Sequence, residues 1–289
     1  MPGVIRAHLS GQAHPSGPQP MRYGMEFTDL TLAIEDNLAI VTLNRPEARN
    51  AYTLEMIDSI VRVLDALEQN DDVRCVILTG AGTAFSAGGD LKAMKEHTGM
   101  FAGDQVRLRS AYMRGIQRIP RRFARFEKPV IAAINGPAVG AGLDLACMCD
   151  IRIAADGARF GSSFVKLGLI PGDGGAYLLA RIVGFPRALD LVLTGRTIDT
   201  LEAERYGLIN EIAVDVDVLD LAKKRAAKIA ANAPLAVRMA KSAMYQSWDM
   251  TLDHALNLAA TYQGIVQNTP DHDEGVQALL DRRKPNFKG

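Results

Sequence analysis

The chain has 289 residues, of which 48% are hydrophobic and 23% charged, and these proportions argue against a disordered, fibrous or membrane-embedded protein. Its 33 lysines and arginines equal its 33 aspartates and glutamates, so it lacks the excess positive charge that binds nucleic acids or membrane surfaces. No uninterrupted apolar stretch reaches the roughly 18 residues of a membrane span. We therefore expect a soluble protein that binds neither nucleic acid nor a membrane.

Residues 1–24 are rich in proline, glycine and histidine and contain no acidic residue. An acid-poor start also occurs in organelle presequences, but four prolines oppose the amphipathic helix that such a signal needs. The composition predicts a disordered N-terminal tail, which we exclude from the fold.

Two short strands are predicted next, at residues 31–35 and 38–43, joined by the turn-forming pair Asp36 and Asn37. A helix is predicted to follow Thr53, because threonine is a suitable N-cap and apolar residues then repeat at a period of 3.6. The fold is therefore expected to begin with a β-hairpin and an amphipathic helix.

Strands and helices alternate through the middle of the chain. Residues 73–80 and 129–136 are mostly apolar, which is typical of parallel strands buried on both faces. Further predicted elements are a helix over 105–126, a helix over 141–148 and strands over 151–155 and 158–161. This alternation predicts an α/β core, which we assign to residues 25–215.

Residues 216–289 have an almost entirely helical pattern, with Pro234 and Pro270 suited to first helical turns. Leu252, Leu256 and Tyr262 are among apolar residues that occupy more faces than one helical layer can bury. We therefore predict that this segment is a helical oligomerisation region.

Three cysteines, Cys75, Cys147 and Cys149, lie within largely apolar runs. Their odd number argues against a disulfide framework, and no second Cys/His pair is spaced to complete a zinc site. We expect buried thiols, no metal, and a reducing compartment, the cytoplasm.

Two glycine-rich loops, residues 80–91 and 135–144, each connect an apolar strand to a helix. Such loops bring a ligand close to the backbone and direct free N–H groups at an anionic atom. Neither carries the Lys-Ser/Thr of a phosphate-binding loop, and the first departs from the dinucleotide pattern at Phe85. Tight packing would explain either loop alone, but two in succession predict paired backbone donors for an oxyanion.

Several motifs resemble those of the enoyl-CoA hydratase/isomerase, or crotonase, superfamily. They are L-N-R-P-E-A-R-N (43–50), V-I-L-T-G (76–80), F-S-A-G-G-D-L (85–91), K-P-V-I-A-A-I-N-G (128–136), D-I-R-I-A (150–154), L-G-L-I-P (167–171), L-T-G (193–195), E-A (202–203), G-L (207–208) and R-R-K-P-N-F-K (282–288). The resemblance covers nearly everything after the N-terminal tail. It implies a spiral core of ββα units with a C-terminal α-helical region, assembled into homotrimers or hexamers.

The resemblance also implies an acyl-CoA substrate of the kind met in fatty acid metabolism, with coenzyme A as part of the substrate and no further cofactor. By motif position, the thioester oxygen would accept hydrogen bonds from the backbone N–H groups of Gly89 and Ala141. Two preorganised donors stabilise a thioester enolate more than they stabilise the ground state, so they favour chemistry at C2 of the acyl group.

The chain departs from the hydratase pattern, which has two glutamates. Asp144 stands at the first glutamate position and Phe164 at the second, and phenylalanine cannot transfer a proton. A different acid, Asp173, lies in a glycine-rich turn, as in isomerases of the superfamily, although one residue later than in their pattern. The resemblance therefore fits isomerase-type proton shuttling by Asp144 and Asp173 better than hydration.

Each of these acids also has a structural interpretation. Asp144 lies in an apolar helix and would need a buried partner, such as Arg152 or Arg181, but desolvation would raise its pKa toward a useful value and we favour catalysis. Asp173 is equally suited to be a helix N-cap, where its pKa would be low.

Substrate-binding residues are expected around the two loops. The resemblance places the phosphates and adenine of CoA near Arg49, Lys92 and Lys288, although solvation at the surface explains Lys288 as well. His97 is either an active-site base or an exposed helical histidine. The predicted substrate-binding set is Arg49, Ala87, Asp90, Leu91, Lys92 and Phe164.

The expected function is proton transfer at C2 of an unsaturated acyl-CoA through an oxyanion-stabilised thioester enolate. Because a fold does not fix a reaction, thioester hydrolysis, decarboxylation and a catalytically silent CoA-binding role are alternatives. The neutral charge argues against an RNA-binding member of the superfamily.

Overall fold

A computed structural model describes residues 26–289. Its first element is a hairpin of β1 (Leu30–Glu35) and β2 (Leu38–Leu43), paired antiparallel. Asp36 and Asn37 have φ angles of 45° and 68°, the left-handed conformations that a tight hairpin turn requires. The hairpin is therefore confirmed. The predicted tail, residues 1–24, lies outside the described residues.

A six-stranded sheet forms the centre of the fold. Its strand order is β1-β2-β3-β4-β6-β9, and all neighbours from β2 onward are parallel. Its remaining strands are β3 (Cys75–Gly80), β4 (Val130–Ile134), β6 (Ile151–Ala155) and β9 (Glu211–Ala213). Every residue of β3 and β4 is buried, as their apolar sequences predict.

A second, three-stranded sheet has the order β5-β7-β8. Its strands are β5 (Ala138–Val139), β7 (Phe160–Gly161) and β8 (Thr197–Ile198). The chain passes twice from the large sheet to the small one, because β4 is followed by β5 and β6 is followed by β7. This alternation produces the predicted spiral, although the sequence pattern did not reveal the two-residue strands β5 and β8.

Helices cover both faces of the large sheet. The helix α1 (Leu54–Glu68) buries Met56, Ile60 and Leu64 in the main core, and the Thr53 side chain accepts the Met56 N–H as predicted. On the opposite face, α9 (Val218–Ala230) buries Val218, Ala222 and Ala226. The first helix of the C-terminal region thus completes the core of the spiral.

The helix predicted over residues 105–126 is interrupted, so that prediction was wrong at its centre. The observed elements are α3 (Gln105–Arg114) and α4 (Arg118–Phe123). Gly115 ends α3 with ψ −109°, outside the helical region, and Pro120 cannot donate a backbone hydrogen bond to continue a helix. The other helices of the core are α2 (Leu91–Glu96), α5 (Ala141–Met148), α6 (Gly175–Val183), α7 (Phe185–Thr194) and α8 (Thr200–Arg205).

Three helices complete the C-terminal region: α10 (Pro234–Ser247), α11 (Leu252–Gln267) and α12 (Pro270–Leu280). Pro234 and Pro270 are the first residues of their helices, as predicted. Several large apolar side chains of these helices are exposed, including Met244, Leu252 and Leu279. Along residues 26–289, no helix combines the length and apolar character needed to cross a bilayer.

Candidate active site

A buried asparagine shapes the first glycine loop. The Asn50 side chain is fully buried, and its amide donates to the carbonyls of Ala81 and Ala84, both at 2.9 Å. Its Oδ1 accepts the Arg45 N–H at 2.9 Å. One side chain therefore fixes both ends of the turn that leads from β3 into the site, a role that sequence reasoning missed.

The two glycine loops pack directly on each other. The Ser86 carbonyl accepts the Val139 N–H at 3.0 Å, and the Pro137 carbonyl accepts the Ser86 N–H at 3.2 Å. A Cβ at Gly142 would lie 2.2 Å from the Ser86 carbonyl oxygen, so only glycine permits this approach. The loops thus form one unit between β3, β4 and α5.

The predicted donors, Gly89 and Ala141, both belong to this unit. Ala141 is the first residue of α5, so its N–H is one of the helix groups without an intrahelical acceptor. The Tyr52 N–H donates to the Gly88 carbonyl at 2.8 Å and so orients the peptide that carries the Gly89 N–H. Within the described part of the chain, neither the Gly89 nor the Ala141 N–H donates a hydrogen bond.

Gly88 allows the two donors to approach each other. Its φ of 81° is left-handed, and a Cβ there would lie 2.8 Å from the Ala141 nitrogen and 2.7 Å from the Val139 carbonyl oxygen. Both obstacles are backbone atoms, which cannot move independently of the loops. The pair of donors therefore depends on glycine at this position.

A cavity of about 540 Å³, called here the first cavity, lies in front of these donors. Both donor residues line it, together with the predicted binding residues Arg49, Ala87, Leu91 and Phe164. Phe164 also packs beside Gly140: a Cβ built on that glycine would lie 3.9 Å from the Phe164 Cζ. An aromatic wall therefore stands where the hydratase pattern has its second glutamate.

Three other predicted residues lie outside the walls of the first cavity. The Asp90 carboxylate caps α2 by accepting the N–H groups of Lys92 and Ala93, and it pairs with Arg45 at 3.0 Å, so its pKa is lowered by these partners. Lys92 is exposed and absent from the cavity lining. His97 is an exposed residue that ends α2 with a left-handed φ of 51°, as a C-cap.

Asp144 and Asp173 form a buried carboxyl pair. They are 0% and 2% exposed, and they lie close enough together for each to influence the pKa of the other. The Asp144 Oδ2 accepts the Gly175 N–H at 3.1 Å, whereas Asp144 Oδ1 and both Asp173 oxygens have no hydrogen-bond partner in the described residues. Two neighbouring carboxyl groups out of water disfavour a state in which both are ionised, so the pair favours holding a proton.

Burial raises the pKa of both acids. For Asp144, desolvation is the largest cause and the neighbouring Asp173 adds to it, while the Gly175 N–H acts in the opposite direction. For Asp173 desolvation again dominates. Raised pKa values let the pair keep a proton at a higher pH than exposed aspartates do, and a group that holds a proton beside one that accepts it is what acid and base catalysis requires.

The contacts of Asp144 and Asp173 do not support the structural roles considered for them, an ion pair with an arginine and a helix N-cap. Arg152 donates to the carbonyls of Leu208 and Cys149, and Arg181 pairs with Asp249, so neither arginine is the partner of Asp144. The residue that caps α6 is Gly174, with no side-chain hydrogen bond, so Asp173 is not the N-cap.

The buried tyrosine Tyr52 lies between the donors and the acids. Its hydroxyl donates to the Ala141 carbonyl at 3.3 Å, and burial together with the nearby charges of Asp173 and Asp144 raises its pKa. Sequence reasoning missed this residue, because its partner lies 89 positions away in the chain.

The Lys288 backbone N–H donates to Asp271, and Lys288 itself is exposed, so the structure does not bring it to the first cavity. The three cysteines are buried in the core as free thiols, as predicted, and burial raises the pKa of Cys75 to about 12.

A two-sheet spiral that presents two unoccupied backbone donors beside a buried acid pair defines an enzyme suited to hold an oxyanion during proton transfer. The family model for enoyl-CoA hydratase/isomerase matches residues 33–289. The chain belongs to the enoyl-CoA hydratase/isomerase family and is an acyl-CoA enzyme of that family.

Its relatives include both named activities of the family. A short-chain-enoyl-CoA hydratase from Clostridium acetobutylicum is 38% identical over 261 residues, covering 90% of this chain and 97% of the relative. A 1,2-epoxyphenylacetyl-CoA isomerase from Escherichia coli is 38% identical over 265 residues, covering 92% and 99%. The crystal structure of an enoyl-CoA hydratase from Bacillus anthracis is similar with a TM-score of 0.85, at 34% identity, covering 91% of this chain and 100% of that one. The predicted crotonase fold and enzyme family are confirmed.

Proposed function

We propose that the protein moves the double bond of a 3-enoyl-CoA to the 2-position by shuttling a proton. The thioester oxygen accepts the N–H groups of Gly89 and Ala141. The ionised member of the carboxyl pair removes a proton from C2, the negative charge moves to the thioester oxygen, and a proton from the pair is returned at C4. The double bond between C3 and C4 is thereby replaced by one between C2 and C3, with no other reactant.

The observation that carries this proposal is the closeness of two buried acids, since Asp144 accepts the N–H of Gly175, two residues after Asp173. Asp144 is placed three residues after the donor Ala141 on α5, and Asp173 supplies the second carboxyl through the turn before α6. Their raised pKa values favour a pair in which one group holds a proton and the other accepts one. The relative named as a 1,2-epoxyphenylacetyl-CoA isomerase supports isomerisation of an acyl-CoA, although of an epoxide rather than of an alkene.

Phe164 disfavours the competing addition of water. Hydration needs one group that orients a water and another that protonates carbon. Here Phe164 and the Ser163 hydroxyl form the wall of the first cavity beside Gly140, so this wall has no carboxylate to take a proton from a nucleophilic water. Hydration of a short 2-enoyl-CoA is therefore expected to be slow.

The proposal requires movement when substrate binds. Both acids are closed off in the described structure, and neither lines the first cavity. The acyl chain must therefore displace the side chains that fill the space between Ala141 and the carboxyl pair. Within the first cavity, the flexible Met94 side chain packs on Gly89 and would also have to move to uncover the donor there.

The test compares isomerisation of 3-hexenoyl-CoA with hydration of crotonyl-CoA. We expect Asp144→Asn and Asp173→Asn each to slow isomerisation about a hundredfold or more, because general acid and base catalysis contributes that much. Asp271→Asn is a matched control, since Asp271 is also buried but binds the backbone at Lys288 and Gly289. Rapid hydration that survives both active-site substitutions would refute the assigned acids and the reaction.

The proposal includes a homo-oligomer, a trimer or a hexamer, in the cytoplasm. The oligomer is supported by the exposed apolar side chains of α10 to α12, such as Met244 at 76% and Leu279 at 80%. Light scattering at micromolar concentration should give a multiple of the 31.2 kDa chain mass, and a species of the single-chain mass would contradict it.

A further inference from the structure

A second cavity of about 510 Å³ lies next to the carboxyl pair. Leu169 lines both this cavity and the first one. Gly172, which immediately precedes Asp173, forms part of its wall and lies against the Tyr112 ring, whose Cε1 would be 3.1 Å from a Cβ on that glycine. The charge of Asp173 also raises the pKa of Tyr112, after the larger effect of burial. The second cavity is therefore positioned to receive the part of an acyl chain that extends beyond the acids.

One face of α3 supplies a positive charge to this cavity. Arg109, Tyr112 and Met113 all line it, and their spacing of three and four residues places them on the same side of the helix. Arg109 is exposed, and within residues 26–289 its guanidinium has no hydrogen bond or ion pair. The cavity thus combines an apolar wall with a guanidinium that has no protein partner there.

The segment that carries Arg109 is rich in arginine, and the nearby acids are Asp104, which caps α3, and the buried Asp173. Residues 105–126 contain seven arginines and no acidic residue, in a chain whose net formal charge is zero. Arg118 and Arg122 form ion pairs with acids of α1, but these pairs lie away from the cavity walls. A neutral acyl end would gain nothing from this charge, whereas a carboxylate would be attracted to it.

We propose that Arg109 selects acyl chains that end in a carboxylate, so that the preferred substrates are mono-CoA thioesters of unsaturated dicarboxylic acids. The chain would pass Leu169 and present its distal carboxylate to the Arg109 guanidinium, whose planar fork matches a carboxylate with two hydrogen bonds. The inference rests on the proposed function only in placing the thioester in the first cavity.

Calorimetric binding tests this selection without requiring turnover. The probes are the saturated mono-CoA thioesters of C6, C8 and C10 dicarboxylic acids, each compared with the monocarboxylic acyl-CoA of equal length. We expect the wild type to bind the dicarboxylic member at least tenfold more tightly for one or more lengths, and Arg109→Gln to abolish that preference. Arg107→Gln is the matched control, because Arg107 lies on the same helix but lines neither cavity. It should retain the preference.

Equal or weaker binding of the dicarboxylic probes at every length would overturn the inference. An equal loss in Arg107→Gln and Arg109→Gln would also overturn it, since the cause would then be the general charge of α3. If the preference for dicarboxylic probes depends on Arg109 but no 3-enoyl-CoA is isomerised, the inference stands and the proposed reaction fails.

Discussion

Replacing Ala141 by proline tests the oxyanion site with little damage to the fold. Ala141 is the first residue of α5, a position where proline fits a helix because its missing N–H has no intrahelical acceptor. Gly140 precedes it with φ 56° and ψ −126°, a non-helical conformation compatible with a following proline. The substitution therefore removes one donor and adds ring atoms where the thioester oxygen would lie.

The expected loss follows from the energy of one oxyanion donor. Removing such a donor costs about 3 to 4 kcal/mol, which corresponds to a decrease in kcat of about a hundredfold to a thousandfold. The assay follows the absorbance of the conjugated product formed from 3-hexenoyl-CoA, with circular dichroism to show that the variant is folded. Leu54→Pro is the control, because Leu54 is likewise the first residue of its helix, α1, and lies away from the cavity. A folded Ala141→Pro protein with unchanged kcat would refute the assignment of the donor.

Three further predictions follow from the packing and charges. Burial raises the pKa of both acids, so the stability that their protonated forms provide is present below the unfolded pKa of about 4 and is lost as the pH rises through the folded values. Asp173→Asn should therefore raise Tm more at pH 7 than at pH 4. An equal change in Tm at both pH values would contradict this. Gly88→Ala should lower both Tm and kcat, because the alanine Cβ would meet backbone atoms of the second loop. Calorimetry measures Tm and the isomerase assay measures kcat, and unchanged values of both would contradict this packing. Lys241→Met should reduce the free energy of unfolding, measured by urea titration, by about 2 kcal/mol. The reason is that the largely buried Asp150, 2.8 Å from the Lys241 ammonium, would lose its charged partner. An unchanged urea midpoint would show that this ion pair does not stabilise the packing of α10.

Local sequence patterns predicted the elements whose formation depends on neighbouring residues in the chain. The β1–β2 hairpin follows from two residues that tolerate left-handed conformations, and the buried parallel strands follow from their uninterrupted apolar sequences. The helix Ala141–Met148 was predicted with its observed bounds, because the glycine loop before it and the apolar run within it are both local features.

The contacts that assemble the site could not be predicted from periodicity. Asn50 bonds to Ala84, 34 residues later, and Tyr52 bonds to Ala141, 89 residues later, so their partners depend on how the spiral closes. The approach of Asp144 to the segment that carries Asp173 depends in the same way on Gly175, where a Cβ would lie 2.1 Å from the Asp144 Oδ1. Sequence reasoning identified both acids as catalytic candidates but did not place them against each other.

A crystal structure with a non-reactive 3-enoyl-CoA analogue tests the central claim most directly. We expect the oxygen of the thioester, or of its replacement group, at about 3 Å from both the Gly89 and Ala141 nitrogens, with C2 adjoining a carboxyl oxygen of Asp144 or Asp173. The acyl chain should extend from the first cavity past Leu169, which lines both cavities. A bound analogue whose oxygen contacts neither N–H, or whose C2 and C4 both lie out of reach of the carboxyl pair, would contradict the account.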